Sequence, residues 1–151
     1  MEYTKEDCIK DTKKHIKKVQ DNLAIITKEL TERGKIHDAS KLESPELEIF
    51  TEYTPKLAVS TYGSQEYIDN TKGMRVALDH HYANNSHHPQ YYPNGIKGMD
   101  LLDIIEMFCD WKAATERHED GDINKSININ QERFDYSDDL KEIFKNTVKY
   151  F

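Results

Sequence analysis

Histidines and acids that could bind a metal ion are concentrated in one part of this 151-residue chain. Four of the seven histidines fall within nine residues, in the segments Asp79-His80-His81-Tyr82 and His87-His88-Pro89. Imidazole together with carboxylate favours Zn, Mn, Fe, Co or Ni over Ca. A mixed donor set with open coordination positions suits catalysis better than a closed structural site. The alternative interpretation is a histidine-rich surface loop without a ligand.

Two histidines earlier in the chain could join this group. His15 lies on the apolar side of a predicted helix, so folding would draw its imidazole towards the core, where it needs a partner. His37-Asp38 follows Gly34, and a chain reversal there could bring His15 and His37 together. The alternative for His15 is a core histidine that is hydrogen-bonded to a carbonyl.

Three acids share one strip of a later predicted helix, over residues 99–118: Asp103, Glu106 and Asp110. At 100° per residue they lie within about 60° of each other. Apolar side chains surround the rest of this helix almost completely, so it is predicted to be central. Buried acids repel one another unless they are protonated, paired or bound to cations. Salt bridges to basic residues are the alternative to a metal: Lys112, Arg117 or Lys41.

Helices are the predicted elements that position these residues. Residues 5–33 lack Gly and Pro and carry apolar side chains at steps of three and four, which predicts a long helix ended by Gly34. A second helix is predicted from about His37, with an interruption at Ser44-Pro45 and a restart at Thr54-Pro55.

The second half of the chain is predicted to be helical as well, around an irregular loop at 84–98. Ser64 is predicted to cap a helix to about residue 84, which Gly73 weakens. A turn at 119–122 and a helix from Ser137 to the C-terminus follow the 99–118 helix, and residues 126–130 could be a short extended piece. The prediction is an all-α, single-domain helical bundle over residues 1–151.

Charge and composition exclude several classes of function. The formal net charge of -7 repels nucleic-acid polymers, and no cluster of basic and aromatic residues is large enough to overcome this. A small anion could still bind through a metal ion. No apolar run approaches the 18 residues that would span a membrane, and the charged N-terminus is unlike a signal peptide. The two cysteines are far apart, as in proteins of a reducing compartment, so the cytoplasm is predicted.

A lone His, then His-Asp, then a distant Asp on a later helix resembles the HD-domain superfamily of metal-dependent phosphohydrolases. His15, His37, Asp38 and Asp110 occupy the four places. Residues 37–41 also resemble the HD-x-G-K box of the HD-GYP branch. Over nearly the whole chain the sequence is similar to a group of small phage and bacterial proteins of unassigned function. The similarity is carried by the segments HDASKLESPELE, HHYANNSHHPQ and MDLLDIIEMFCDWKAA.

This resemblance implies an all-helical HD-like fold that holds one or two divalent transition-metal ions between helices, in a bacterial or phage-infected cell. The additional histidines imply a two-metal version in which Asp38 bridges, with His80 and His88 as candidate ligands of the second ion.

The expected function is a metal-dependent phosphohydrolase that acts on a nucleotide or a nucleotide-derived phosphate ester. Two alternatives stay open, a non-catalytic phage protein that sequesters a nucleotide and a di-iron oxygenase, and a homo-oligomer is possible. Catalytic roles are expected for Lys41, His81 and Glu106, with Glu106 orienting a ligand histidine and His81 or His87 moving a proton. Substrate contacts are expected from Lys41, His87, Tyr82 and Tyr91, with Tyr92 as a further stacking candidate.

Overall fold

Regular structure in this protein is entirely helical over the residues that the computed structural model describes, which are 3–60, 64–117 and 121–151. Within them lie seven α-helices and four short 3-10 helices, and this confirms the predicted all-α class. The chain divides into two units, residues 1–36 and 37–151, which are described separately below. The single domain over residues 1–151 stays a prediction.

The first unit contains one long helix, α1 (Lys5–Ile36). Thr4 and Asp7 close its first turn, because the Asp7 carboxylate accepts from the Thr4 hydroxyl at 2.6 Å while the Asp7 amide donates to that hydroxyl at 3.1 Å. The prediction that Gly34 ends this helix is wrong by two residues. The left-handed residue that follows the helix is Asp38, at φ 56°, and Gly34 stays helical.

Three helices begin the second unit: α2 (Glu46–Val59), α3 (Gln65–Gly73) and α4 (Arg75–Asn84). Ser64 caps α3 as predicted, since its hydroxyl accepts from the Tyr67 amide at 3.1 Å. The predicted restart at Pro55 is wrong, because α2 runs through it. The predicted 64–84 helix is two helices. Gly73 ends the first against Tyr53, whose ring would lie 2.3 Å from an added Cβ.

Three further helices complete the second unit: α5 (Leu101–Thr115), α6 (Ile123–Phe134) and α7 (Asp138–Thr147). Ser137 caps α7 through its hydroxyl, which accepts from the Leu140 amide. The extended piece at 126–130 is wrong, because Ile123 and Ile127 lie one helical turn apart in α6 and are both buried. The predicted turn and helix end at residues 118–120 lie outside the described residues.

One side of α5 forms the hydrophobic core together with α6 and α7. Phe108 stacks on Phe144 with 4.9 Å between ring centroids, and the edge of Trp111 meets Phe144 at 5.4 Å. The expectation that α5 is buried all round is wrong, since Leu101 is 78% exposed and Ile105 41%. The core members are Met107, Phe108, Trp111, Ile123, Ile127, Tyr136 and Phe144. Other faces of α5 are therefore available to a polar site.

The predicted cytoplasmic location rested on the cysteines and on the lack of a long apolar run, and it stays a prediction. Cys8 and Cys109 are both free thiols. None of the described helices combines the length and apolar character needed to cross a bilayer.

Candidate metal centre

The site begins at Asp38, two residues after the end of α1. Its backbone is left-handed, at φ 56° and ψ 16°, and it precedes a short 3-10 helix over Ala39–Leu42. A non-glycine residue adopts this conformation at a cost in free energy, and such residues cluster at functional sites as well as at helix ends. The conformation places the carboxylate among imidazoles from α4 and from the loop after α4.

The first group of candidate ligands joins Asp38 to three histidines. His81 on α4 places its Nε2 atom 3.3 Å from Asp38 Oδ1, and His87 Nε2 lies 3.4 Å from the same oxygen. His88 Nε2 lies 2.8 Å from His81 Nε2. One ligand atom from each of these four residues lies within 4.8 Å of all the others. Three imidazoles and one carboxylate at this spacing can hold a divalent metal ion.

A second group uses the other oxygen of the same carboxylate. His37 Nε2 lies 3.6 Å from Asp38 Oδ2 and 3.7 Å from Asp110 Oδ1 on α5. The three residues again offer ligand atoms within 4.8 Å of one another. Asp38 therefore belongs to both groups, with one oxygen directed to each.

Two buried polar atoms of the first group indicate a place where a cation could bind. Asp38 Oδ1 and His87 Nε2 are buried, and among the described residues neither finds a hydrogen-bond partner. Leaving a buried polar atom unpaired costs about 1–3 kcal/mol. The two atoms lie 3.4 Å apart, so an ion between them would satisfy both.

Glu106 orients two of the candidate ligands from α5. Its Oε1 lies 2.9 Å from Nδ1 of His37 and 3.2 Å from Nδ1 of His87. One ligand atom from each member of this trio also lies within 4.8 Å of the other two, so the trio could itself hold an ion. Hydrogen-bond distances on the Nδ1 side favour an orienting role, because an Nδ1–H group that donates to Glu106 leaves Nε2 of each ring as the atom that could bind an ion.

Glu46 repeats this arrangement from the first turn of α2. It is 0% exposed, and its two oxygens lie 2.7 Å from His80 Nδ1 and 2.8 Å from His81 Nδ1. Both imidazoles lower the pKa of this carboxyl against the effect of burial. Sequence reasoning missed Glu46, since an acid in the first turn of a helix is usually an exposed dipole partner.

Two imidazoles of the first group, those of His81 and His88, are suited to metal binding because they are electron-pair donors. Burial, with the neighbouring His87 and His81, lowers the pKa of His88 to about 3. Burial and Lys41 also lower the pKa of His81. Both rings are therefore neutral at pH 7, so each has one ring nitrogen whose lone pair could bind a cation in place of its present hydrogen-bond partner.

His37 is in the opposite state. The carboxylates of Asp110, 3.7 Å from Nε2, and Glu106, 2.9 Å from Nδ1, raise its pKa to about 10. Its ring therefore carries a proton at pH 7 and balances the surrounding carboxylates. A metal ion at this place would displace the Nε2 proton and supply the positive charge instead.

Lys41 supplies a second positive charge beside the shared carboxylate. Its Nζ lies 2.6 Å from Asp38 Oδ2. Burial raises the pKa of Asp38, but His87 and Lys41 outweigh it and hold the pKa well below its usual range. Asp38 is therefore an anion, as a metal ligand must be.

The predicted acidic strip on α5 serves three purposes rather than one. Asp110 belongs to the second group, and Glu106 contacts the imidazoles from behind. Asp103 instead accepts from Ser86 Oγ at 2.7 Å and from the Tyr92 hydroxyl at 2.6 Å, which ties the histidine loop to α5. Lys112, one of the predicted salt-bridge partners, pairs with Glu116.

The histidine-rich segment is not a surface loop. The side chains of His81 and His87 are only 3% and 2% exposed. The structure groups both with Asp38, although the sequence suggested proton transfer for His81 and substrate contact for His87. His80, suggested as a ligand, lies outside the candidate groups, with its Nδ1 on Glu46. His15 belongs to the first unit, and its part in the site stays a prediction.

A cavity of about 640 Å³ opens beside the first group. Asp38, His81 and His88 form part of its lining, together with the side chains of Lys41 and Tyr82. Tyr91 lines a different, smaller cavity, which Tyr82 also lines. Of the two tyrosines expected to contact a substrate, only Tyr82 therefore lies beside the candidate ligands.

The match to a protein family covers nearly the whole chain. A family model described only as a family of unknown function matches residues 4–150. No curated protein and no solved structure matches the chain. The chain belongs to this family of unknown function, DUF5662.

Proposed function

We propose that this protein is a metal-dependent phosphohydrolase that acts on a nucleotide or a nucleotide-derived phosphate ester. The observation that carries the proposal is the division of the Asp38 carboxylate between two groups of ligand atoms. A carboxylate shared in this way is suited to bridge two ions. Pairs of ions about 3.5–4 Å apart are typical of enzymes that displace a group in line at phosphorus.

The donor types support a transition metal. His81, His87 and His88 with one oxygen of Asp38 would hold the first ion. Imidazole suits Zn, Fe, Co, Ni and Mn, whereas Mg and Ca prefer sites made only of oxygen. His37 and Asp110, with the second Asp38 oxygen, would hold the other ion.

The order of ligands along the chain supports the proposed link to the HD-domain superfamily. His37-Asp38 and the later Asp110 lie together, as the resemblance requires. His81, His87 and His88 would take the place that the resemblance gave to His80 and His88. His81 and His87 would then be metal ligands and would not transfer protons in the reaction.

Bound divalent metal would supply Lewis-acid chemistry, activating water and neutralising charge on a phosphate. The protein's own residues would position that chemistry. Glu46 and Glu106 fix the Nδ1 atoms of the ligand histidines and so direct their Nε2 atoms inward. Lys41 lines the same cavity beside Asp38, where its ammonium would contact an oxygen of the substrate phosphate.

Metal content and phosphate release together test this proposal. The purified full chain would be reconstituted with Mn, Fe, Co, Ni or Zn, analysed for bound metal and assayed against mononucleotides, cyclic dinucleotides and guanosine tetraphosphate. We expect one or two ions per chain and release of phosphate or nucleoside from at least one substrate. Asp110→Asn should lose the second ion and most of the activity.

Asp79→Asn is the matched control, because Asp79 is an exposed carboxylate that pairs with Arg75 at 2.8 Å. It should keep both metal and activity. Stoichiometric metal without turnover of any substrate would contradict the hydrolase and favour the sequestering protein. Turnover that consumes oxygen would favour the oxygenase.

A further inference from the structure

The lining of the cavity beside the candidate metal ligands has two chemically different parts. The polar part contains the metal-binding side chains and the ammonium of Lys41, and the guanidinium of Arg117 also lines the cavity. Among the described residues, the remainder of the lining is largely apolar: Leu47, Phe50, Thr51, Thr54, Pro55, Met74, Leu78 and Tyr82. A ligand that fills this space would combine an anionic group with an apolar one.

Two helix faces form the apolar part of the cavity lining. Leu47, Phe50 and Thr54 recur at steps of three and four along α2, so they share one face. Leu78 and Tyr82 lie one turn apart on α4 and present a second face. Both faces line a cavity of about 640 Å³, which is in the size range of small-molecule sites.

Two aromatic rings of this apolar part of the lining lie next to candidate metal ligands. The Phe50 ring meets the His81 ring edge-on, with 6.3 Å between centroids. The Tyr82 ring lies 5.2 Å from that of His88. The apolar surface therefore begins one ring away from the metal-binding atoms, within reach of the first atoms attached to a bound phosphate.

We infer that the cavity recognises a phosphate ester whose organic part carries a compact apolar group, either a ring or a short alkyl chain. The inference rests on the proposed function for the site of the phosphate. Leu47 supports it, because 45% of this side chain is exposed beside the cavity and a bound apolar group would cover it. A small polar leaving group, such as glycerol, would leave these faces unused.

Phosphonates test the inference because they bind as phosphate analogues and are not hydrolysed. Dissociation constants for methylphosphonate, phenylphosphonate and hexylphosphonate would be measured by calorimetry on the full chain loaded with Zn. We expect phenylphosphonate, hexylphosphonate or both to bind at least about tenfold more tightly than methylphosphonate. A preference for phenyl would identify a ring, such as a nucleobase, and a preference for hexyl would identify an alkyl chain.

Phe50→Ala should reduce this preference to less than half of the native ratio. Leu47→Ser, at a partly exposed position, is a second variant for the case in which Phe50→Ala does not fold. Val76→Ala is the control, since Val76 is 61% exposed on α4 and does not line the cavity. Its ratio should equal that of the native chain.

Equal affinity for all three phosphonates would overturn the inference, as would a ratio that both cavity variants leave unchanged. This result is separable from failure of the proposed function. A protein that prefers phenylphosphonate but turns over no substrate would contradict the hydrolase alone. A protein that hydrolyses phosphate esters but binds the three phosphonates equally would contradict the apolar subsite alone.

Discussion

The two sides of α5 show how one helix can serve two regions with opposite physical requirements. Phe108 and Trp111 enter an aromatic core, where stability comes from burying apolar area and close packing. Glu106 and Asp110 face the histidine cluster, where charges are buried next to opposite charges. The core packs apolar side chains against one another, whereas in the cluster two buried polar atoms find no hydrogen-bond partner among the described residues. This difference supports the proposal that the cluster binds a ligand while the core stabilises the fold.

The largest effect that separates the two regions is expected from Asp38→Asn. The amide keeps the size of the side chain but removes the charge that both ligand groups share. Metal affinity should fall on the order of a thousandfold, about 4 kcal/mol, while the helical circular dichroism spectrum stays native. Competition with a chelator measures the affinity. Native affinity in this variant would show that the ion, if bound, lies elsewhere.

Phe144→Ala should have the opposite pattern. Phe144 is 2% exposed and packs against Phe108, Trp111 and Tyr136, so its removal leaves a cavity in the core. We expect the free energy of unfolding to fall by about 3–4 kcal/mol, measured in urea. Metal bound per folded chain should not change. Loss of metal while the variant is still folded would contradict the separation of the two regions.

Glu46→Gln should weaken the cluster to a smaller degree, because Glu46 acts through His81. One carboxylate now contacts two Nδ1 atoms, and an amide can accept on only one of its two sides. Metal affinity should fall about 10–100-fold. Glu48→Gln, at an exposed position of the same helix, is the matched control. Equal affinity in the two variants would remove Glu46 from the site.

The last expected effect is a pH dependence of metal affinity. His37 has a pKa of about 10 without metal, so at pH 6–8 an ion must displace its proton. One released proton makes the affinity rise about tenfold for each unit of increasing pH. The pKa of His87 is also raised, by Asp38 and Glu106 against burial, and a second proton would steepen the slope. Chelator competition at several pH values measures it, and a flat profile would contradict the proposed binding at His37.

Sequence periodicity predicted the helices and part of the site. Ser64 was predicted correctly as a cap, because a hydroxyl before a helical pattern has a local geometric meaning. His81 had a usable signal, since it lies one turn from the buried Ala77, whereas His80 is displaced by 100° around α4. Helical phase therefore favoured His81 over His80 as the inward residue.

Other features depend on contacts between distant segments and could not be predicted. Glu46 is buried only because α4 brings His80 and His81 to it, 34 and 35 residues later. Residues 126–130 alternate polar and apolar side chains, and nothing local shows that Ile127 belongs to the core of a helix. The different roles of the three acids on α5 also depend on distant residues. Ser86 and Tyr92, in the loop before α5, donate hydrogen bonds to Asp103, which therefore does not belong to the candidate metal groups.

Anomalous X-ray diffraction at the absorption edge of the bound metal tests the central claim most directly, with crystals of the Co- or Zn-loaded full chain. We predict a peak about 2.0–2.2 Å from Nε2 of His81, His87 and His88 and from an oxygen of Asp38. A second peak would lie between His37 and Asp110. A metal found only at His80 and Glu46, or no metal among these residues after loading, would contradict it.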